Sequence, residues 1–135
     1  MSESRWPVAA SDADFEPFLA GQPDVSVQLF WCFVAMARAC GAVVFELQNG
    51  PIVLRGTRRI FASVHVGANG LDGHVNLARQ VTDPRIRKVE ALTKRLYFHR
   101  YRVRSIADLD EEFGRWLCEA RNIGDGAHLN NPPSG

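Results

Sequence analysis

Three side chains with metal-binding chemistry lie close together in the sequence, at His65, Asp72 and His74. Imidazole nitrogens and carboxylate oxygens are ligands that zinc and similar ions accept. If two strands and a short turn carry them, the alternation of side chains along a strand puts all three on one face of a sheet. Because no fourth ligand is in view, we assign no metal and no cofactor, and keep a metal-dependent enzyme only as an alternative.

The turn between these two strands can close in two ways. With residues 69–70 in the turn, His65 lies opposite His74, and with residues 68–69 in the turn it lies opposite Asp72. The two registers differ by two residues, so the faces do not exchange. The sequence leaves this choice open.

Aromatic and basic residues alternate in the stretch YFHRYRVR, residues 97–104. Strand alternation separates it into two sets on opposite faces. The more apolar set should face the helices and consists of Tyr97, His99, Tyr101 and Val103. The other set comprises Phe98, Arg100, Arg102 and Arg104, and part of it could pair with the acidic first turn of the last helix, which begins near Asp108.

An open sheet face with cations and aromatic rings has the ingredients of a site for phosphates or for single-stranded nucleic acid. A smaller anion would suit the same residues. The alternative is structural, because Phe61 and Phe98 could instead form a second packing layer beneath residues 78–96. The candidate ligand-binding residues are Arg55, Arg59, Phe61, His65, His74, Phe98, Arg100 and Arg102.

No arrangement for nucleophilic catalysis is evident. Ser63 and His65 share a face, but two neighbours on one strand do not make a triad with an orienting acid. The cysteines at positions 32, 40 and 118 fall on apolar helix faces, where cysteine is more often a packing residue than a nucleophile. We therefore assign no catalytic residues and favour a protein that is not an enzyme.

The net charge of +1 hides an uneven distribution. Residues 55–104 carry a net charge of +9, whereas residues 1–54 and 105–135 each carry −4. A basic central block can mark a surface for anions or nucleic acid. Internal pairing of the block with the acidic helices is the competing interpretation.

Chain length and apolar periodicity indicate one small α+β domain. A chain of 135 residues is typical of a single domain, and we expect it to comprise residues 13–123, between a flexible N-terminus at 1–12 and a disordered tail at 124–135. Pro23 and Gly41 bound a predicted helix at about 23–40. Ser105 and Asp108 resemble a capping box that starts a second helix at about 105–121.

The strands are predicted from a period of two residues. Asn49-Gly50 between two β-rich runs predicts a tight hairpin, which places Phe45 and Leu47 opposite Leu54 and Ile52. Four strands form a meander at 43–77, and a fifth strand follows at 96–103. The expected fold is a two-layer structure in which an antiparallel sheet of about five strands packs on the two helices.

The first long helix is apolar nearly all round, which a surface helix should not be. With Phe30 and Phe33 toward the sheet, the far side carries Trp31, Cys32 and Ala35. Cover for these residues could come from the N-terminal segment, including Trp6 and Phe15, or from a second subunit. They are therefore the candidate interface of a homodimer.

The cysteine count and the length of the apolar runs indicate the cellular compartment of the protein. Three cysteines without framework spacing do not resemble a secreted disulfide scaffold, and we expect a reducing cytoplasm. No signal-peptide pattern begins the sequence. The apolar run from Leu29 to Ala37 is far shorter than the roughly 20 residues that span a bilayer, so no membrane association is expected.

Several strings occur in a recognisable order: TRRIFASV at 57–64, GLDGHV at 70–75, DPR at 83–85, HRYRV at 99–103 and DLDEEFGRWLCEA at 108–120. Together, over about residues 41–121, they resemble the bacterial family called domain of unknown function 5655. The resemblance implies a compact domain of sheet and helices, often appended to other proteins, and no agreed activity or catalytic residues. The first long helix is less polar here than in that family, which favours self-association.

The sequence thus predicts a bacterial binding or protein-interaction module that is homodimeric. The alternatives are an anion or single-stranded nucleic-acid binder on the basic sheet face, and a metal-dependent enzyme.

Overall fold

The fold is known from a computed structural model that describes residues 6–126. Parts of the N-terminus and tail expected at 1–12 and 124–135 lie outside the described residues. The helices are α1 (Glu16–Leu19), α2 (Asp24–Ala39) and α3 (Glu111–Gly124), with a 3-10 turn at Asp12–Phe15 leading into α1. No helix of the described chain is both long enough and apolar enough to cross a membrane.

Six strands form one antiparallel sheet, in the spatial order β1-β2-β3-β4-β6-β5. The sheet therefore has one strand more than the five predicted, and the α+β class is confirmed. The strands are β1 (Val44–Leu47), β2 (Ile52–Arg55), β3 (Ile60–Gly67), β4 (Gly70–Leu77), β5 (Ile86–Ala91) and β6 (Tyr97–Val103).

The two predicted hairpins are present, and the structure settles the open register. Leu47 lies opposite Ile52 across the Asn49-Gly50 turn, and Gly50 takes a φ of +111° that favours glycine. In the second hairpin, residues 68–69 form the turn and His65 lies opposite Asp72. The second of the two predicted registers is therefore the correct one.

The additional strand, β5, occupies the sheet edge beside β6. Most of its side chains are exposed, and its larger apolar residues, Ile86 and Val89, are only half-buried. A bulge between Ile86 and Lys88 shifts the alternation along the strand. Such an edge strand lacks the regular alternation of buried and exposed residues on which the sequence prediction depends.

The last helix begins later than predicted. The capping box from Ser105 to Asp108 exists, but it caps a short 3-10 helix at Ile106–Asp108. The chain then leaves helical geometry at Leu109, and α3 starts after Asp110, whose side chain accepts a hydrogen bond from the Phe113 amide at 3.0 Å. An acidic N-cap satisfies an otherwise unpaired amide of the first turn.

Helices α2 and α3 cover one face of the sheet. The rings of Phe33, Tyr101 and Phe113 form a triangle, with centroid distances of 6.2 Å from Phe33 to each of the other two and 5.2 Å between Tyr101 and Phe113. Trp116 packs beside Phe113 at 5.7 Å. Burying each large side chain contributes about 1.5–3 kcal/mol. The buried strand residues of the core include Phe45, Ile52, Leu54, Ala62, Val64, Val66, Leu71, Val75 and Leu77.

The N-terminal segment lies against α2 and the outer edge of the sheet. The Ala9 amide donates to the Phe45 carbonyl at 2.9 Å. Phe15 is fully buried and packs edge-to-face on Phe30 at 5.2 Å and on Trp31 at 5.9 Å. One of the two kinds of cover predicted for Trp31 is therefore present within the chain.

A disulfide joins Cys40, at the end of α2, to Cys118 in α3. The sequence predicted packing roles for these two cysteines and did not predict the bond between them. Their separation of 78 residues hid the pairing, which depends on the two helices lying side by side. Cys32 is free. Because disulfides persist mainly in oxidising compartments, the cysteines no longer favour a reducing one.

Candidate functional site

The sheet face opposite the helices, called here the open face, is defined by the strand register. Across β3, β4 and β6, Ser63 lies opposite His74, and His74 lies opposite Arg100. The next row joins His65, Asp72 and Arg102 in the same way. Directly opposed residues in a ladder point to one face, so two rows of polar side chains run across three strands.

Residues 78–85 lie on the helix side and leave the open face uncovered. Arg79 forms a two-point ion pair with Glu119 of α3. The Val81 amide donates to Nε2 of His99, a core residue, at 3.0 Å. Residues 86–91 then join the sheet itself as β5. The second packing layer considered for residues 78–96 is therefore not formed by this segment.

Arg85 fastens this segment to the start of α3. Its guanidinium contacts Asp83 at 2.8 Å, Asp110 at 2.7 Å and Glu112 at 3.0 Å. It also lies 4.7 Å from the centre of the Trp116 ring. The hydrogen bond with Asp83 is the main cause that raises the pKa of Arg85. With three carboxylates around it, this arginine has a structural role.

Ser63, His74 and Phe98 form a compact cluster in the middle of the open face. Ser63 Oγ lies 2.7 Å from His74 Nδ1, and it also accepts a hydrogen bond from the His74 amide at 3.2 Å. The His74 and Phe98 rings stack at 4.6 Å with an interplanar angle of 14°. Backbone, hydroxyl and aromatic contacts therefore fix the orientation of the imidazole.

The imidazole of His74 is neutral at physiological pH. Burial, assisted by the positive charge of Arg100, lowers the pKa of His74 to about 4. In the tautomer in which Nδ1 accepts from the Ser63 hydroxyl, the single ring hydrogen of the neutral form resides on Nε2. His74 can thus offer a hydrogen-bond donor to a ligand without carrying a charge of its own.

His65 and Asp72 form a pair beside this cluster, with Nδ1 and Oδ1 separated by 3.2 Å. His74 is directed to Ser63 instead, so the three candidate metal ligands do not converge. Within residues 6–126 no group of three His, Cys, Asp or Glu side chains is placed to hold a metal ion. The geometry offers nothing in favour of the metal-dependent alternative.

Arg100 and Arg102 have no carboxylate partner among the described residues, unlike six other arginines of that part of the chain. Within the described chain, no carboxylate oxygen lies within ion-pair distance of either guanidinium, and both residues are exposed. Arg100 instead lies 5.9 Å from the centre of the Phe98 ring. By contrast, the arginines paired with acidic residues are Arg38, Arg55, Arg79, Arg85, Arg115 and Arg121.

A shallow depression brings together several of the predicted ligand residues. It is lined by Ser63, His65, Asp72, His74, Phe98 and Arg100, and is called the Arg100 depression below. One wall is positively charged, another is aromatic, and the neutral imidazole lies between them. An anion that entered would meet the Arg100 guanidinium and the Nε2–H group of His74.

Four of the candidates do not line this depression: Arg102 lines the neighbouring one at the β3–β4 turn, and the other three are placed as follows. Arg55 is paired with Glu46 at 2.6 Å. Phe61 is 1% exposed and belongs to the core, where it packs against Gly124 at the end of α3. Arg59 is half-buried, and its Nε has no hydrogen-bond partner among the described residues. Strand parity alone could not reveal the contact between Phe61 and the distant helix end.

Sequence reasoning missed the part of the site that β5 supplies. Lys88 lies directly opposite Arg100 and extends the row Ser63, His74, Arg100 to the sheet edge. Arg87 and Arg104 line another depression of the surface, together with Arg102. The available signal was the high density of basic residues between 85 and 104. Without knowledge of β5, these residues could not be assigned to a face of the sheet.

The candidate interface residues lie on the far side of α2. Trp31 and Cys32 are half-buried, and Ala35 is exposed. Trp31 contacts Phe15 and Phe30, so the predicted apolar surface is smaller than the sequence suggested.

Comparisons of the chain with models of protein families, with curated proteins and with solved structures found no match. The resemblance of residues 41–121 to the family called domain of unknown function 5655 stays a prediction.

Proposed function

We propose that the protein is a non-enzymatic binding module that takes an anionic ligand on its open face. The ligand's phosphate or carboxylate group lies between Arg100 and His74, and Arg102 adds a second positive charge. The observation that carries the proposal is the absence of any carboxylate partner for Arg100 and Arg102 within the described chain. Exposed cations without a partner provide charge for a ligand at a smaller desolvation cost than buried ones.

The neighbouring groups support the same ligand chemistry. Arginine donates several hydrogen bonds in a plane that matches carboxylate and phosphate oxygens. The lowered pKa of His74, about 4, keeps its Nε2 a neutral donor. The Ser63 hydroxyl already bonds the ring and the backbone of His74, and no carboxylate of residues 6–126 makes a hydrogen bond to the pair. The geometry thus favours binding over nucleophilic chemistry.

Titration of the full chain with inorganic phosphate and pyrophosphate at low salt, followed by amide chemical shifts, tests the proposal. Shifts should concentrate on residues 63, 74, 98 and 100, and Arg100→Ala plus Arg102→Ala should weaken binding more than tenfold. The matched control is Arg58→Ala plus Arg115→Ala, which removes the same charge from other exposed positions and should have little effect. Equal loss in both double variants, or no binding at all, would refute the proposal.

Self-association through Trp31, Cys32 and Ala35 is a second, independent proposal. Its support is the partial exposure that these residues keep after the N-terminal segment is in place. Sedimentation equilibrium at tens of micromolar should then show a dimer that Ala35→Glu dissociates. A monomer over the whole concentration range would eliminate this surface as an interface.

A further inference from the structure

We infer that the ligand of the open face is a linear polyanion, of the chemical class of single-stranded nucleic acid, that lies along β6 from Phe98 to Arg104. This inference rests on the proposed anion binding at Arg100 and specifies its substrate class. The observation behind it is a row of three surface depressions, each of which shares wall residues with the next.

The Arg100 depression is the first of the three. A second depression surrounds the β3–β4 turn and shares His65 and Asp72 with the first, while Arg102 forms its other wall. The third depression is lined by Arg102 together with Arg87 and Arg104. Neighbouring depressions share wall residues, so together they mark a path over the surface from the Arg100 depression to the region of Arg87 and Arg104. A single phosphate would occupy only one part of this path.

The spacing of positive charge along the path is regular. Arg100 and Arg102 alternate with core residues within β6, so they follow one another at about 7 Å, and Arg104 comes directly after the strand. Phosphate groups along an extended nucleic-acid strand repeat at a similar interval, so each arginine can meet one phosphate. A duplex presents two backbones across a major groove about 12 Å wide, which one row of arginines does not match.

The charges of the path are available to a ligand. Within residues 6–126, none of Arg87, Arg100, Arg102 and Arg104 has a carboxylate within ion-pair distance. Two acidic residues line the path as well, and each contacts a group other than these arginines. Asp72 contacts His65, and Oδ2 of Asp108 accepts the backbone amides of residues 104 and 105.

The inner end of the path is aromatic. Phe98 and His74 form a stacked, half-buried pair beside Arg100. Stacking of bases on aromatic rings contributes about 1–3 kcal/mol for each base in single-strand binding proteins. A polyanion without rings, such as polyphosphate or an acidic peptide, could not use this end, so nucleic acid is the favoured class.

Fluorescence anisotropy with a labelled single-stranded oligonucleotide of mixed sequence, at several salt concentrations, tests the inference. The decisive variant is Arg87→Ala plus Arg104→Ala, which removes two of the four arginines that line the third, outer depression and leaves Arg100 in place. Oligonucleotide affinity should fall at least tenfold and the salt slope should shrink by about 0.7 for one lost phosphate contact. Phosphate binding at Arg100 should be unchanged.

Three outcomes would overturn the inference. The outer variant could bind the oligonucleotide normally, duplex of the same length could bind as tightly, or polyphosphate or polyglutamate could compete equally well. Each of these leaves the proposed anion site standing as long as inorganic phosphate still binds through Arg100. If the unmodified chain did not bind phosphate, the proposed function itself would be refuted.

Discussion

The hydroxyl group of Tyr101 donates a 2.7 Å hydrogen bond to the backbone carbonyl of Ser63. Tyr101 is fully buried beneath the helices, and the hydroxyl reaches Ser63 across Gly73, where an added Cβ would lie 2.8 Å from the phenol oxygen. The Ser63 side chain points to the other face and holds His74. A core residue thereby fixes the strand segment on which the candidate site is built.

Tyr101→Phe should lower the free energy of unfolding by about 1 kcal/mol, because it removes one buried hydrogen bond. Urea unfolding followed by circular dichroism measures the change. Tyr97→Phe, at a half-buried position of the same strand, is the control and should cost less than 0.5 kcal/mol. Equal effects of the two substitutions would mean that the Ser63 contact does not contribute.

Acid should destabilise the protein in part through His74. Its folded-state pKa of about 4 lies below the ordinary value of 6.5, so the unfolded ring binds more protons than the folded ring between these pH values. Stability is therefore lost as the pH falls from 6.5 to 4, by roughly 3 kcal/mol for this group. The free energy of unfolding measured across this range should fall less steeply in His74→Gln than in the unmodified chain.

The same pH series on His65→Gln provides the control, since His65 is exposed and does not stack on Phe98. Burial also lowers the pKa of His99. Because every variant keeps His99, part of the loss of unfolding free energy in acid remains in all of them. A pH dependence identical in His74→Gln and in the unmodified chain would contradict the assigned burial of His74.

The elements that were predicted correctly carry strong local signals. Asn49-Gly50 determines its own turn, and the apolar alternation around Val64 and Val75 determines which face meets the helices. The signals that failed are non-local. β5 has no apolar alternation of its own, and it forms by pairing with the edge of β6. Leu109 interrupts a residue pattern that looks helical from Ser105 onward.

Arg85→Ala should destabilise the protein by about 2–4 kcal/mol. The substitution leaves three carboxylates, on Asp83, Asp110 and Glu112, close together without their shared cation. Arg85→Lys should recover only part of the loss, because an ammonium group cannot reproduce the planar hydrogen bonds. Thermal unfolding at low and moderate salt would measure both variants.

The comparison variant is Arg79→Ala, whose ion pair with Glu119 is about half exposed. Exposed pairs contribute about 0–1 kcal/mol. A loss for Arg85→Ala no larger than that for Arg79→Ala would show that the network around Arg85 adds nothing beyond a surface pair.

Removing the disulfide, by Cys40→Ser plus Cys118→Ser, should lower the free energy of unfolding by about 2–4 kcal/mol. Cross-linking positions 78 residues apart restricts the unfolded chain over most of the domain. Cys32→Ser removes the free cysteine and should change stability much less. A reducing agent should reproduce the loss in the unmodified protein and have no effect on the double variant.

The candidate site was predictable in its parts and not in its assembly. The exposure of Arg100 and Arg102 followed from strand alternation. The neutral state of His74 did not, because it depends on contacts with Ser63 and Phe98 from two neighbouring strands. The ion pair of Glu46 with Arg55 could not be predicted either, because the sequence alone does not show which arginines have a carboxylate nearby in space.

The bond between Cys40 and Cys118 has a topological consequence. All six strands lie between these two positions in the chain, so the whole sheet belongs to one covalently closed ring. A protease that cut the exposed hairpin tip around residues 92–95 would linearise that ring without releasing a fragment. The two pieces would migrate together on a non-reducing gel and separate only after reduction.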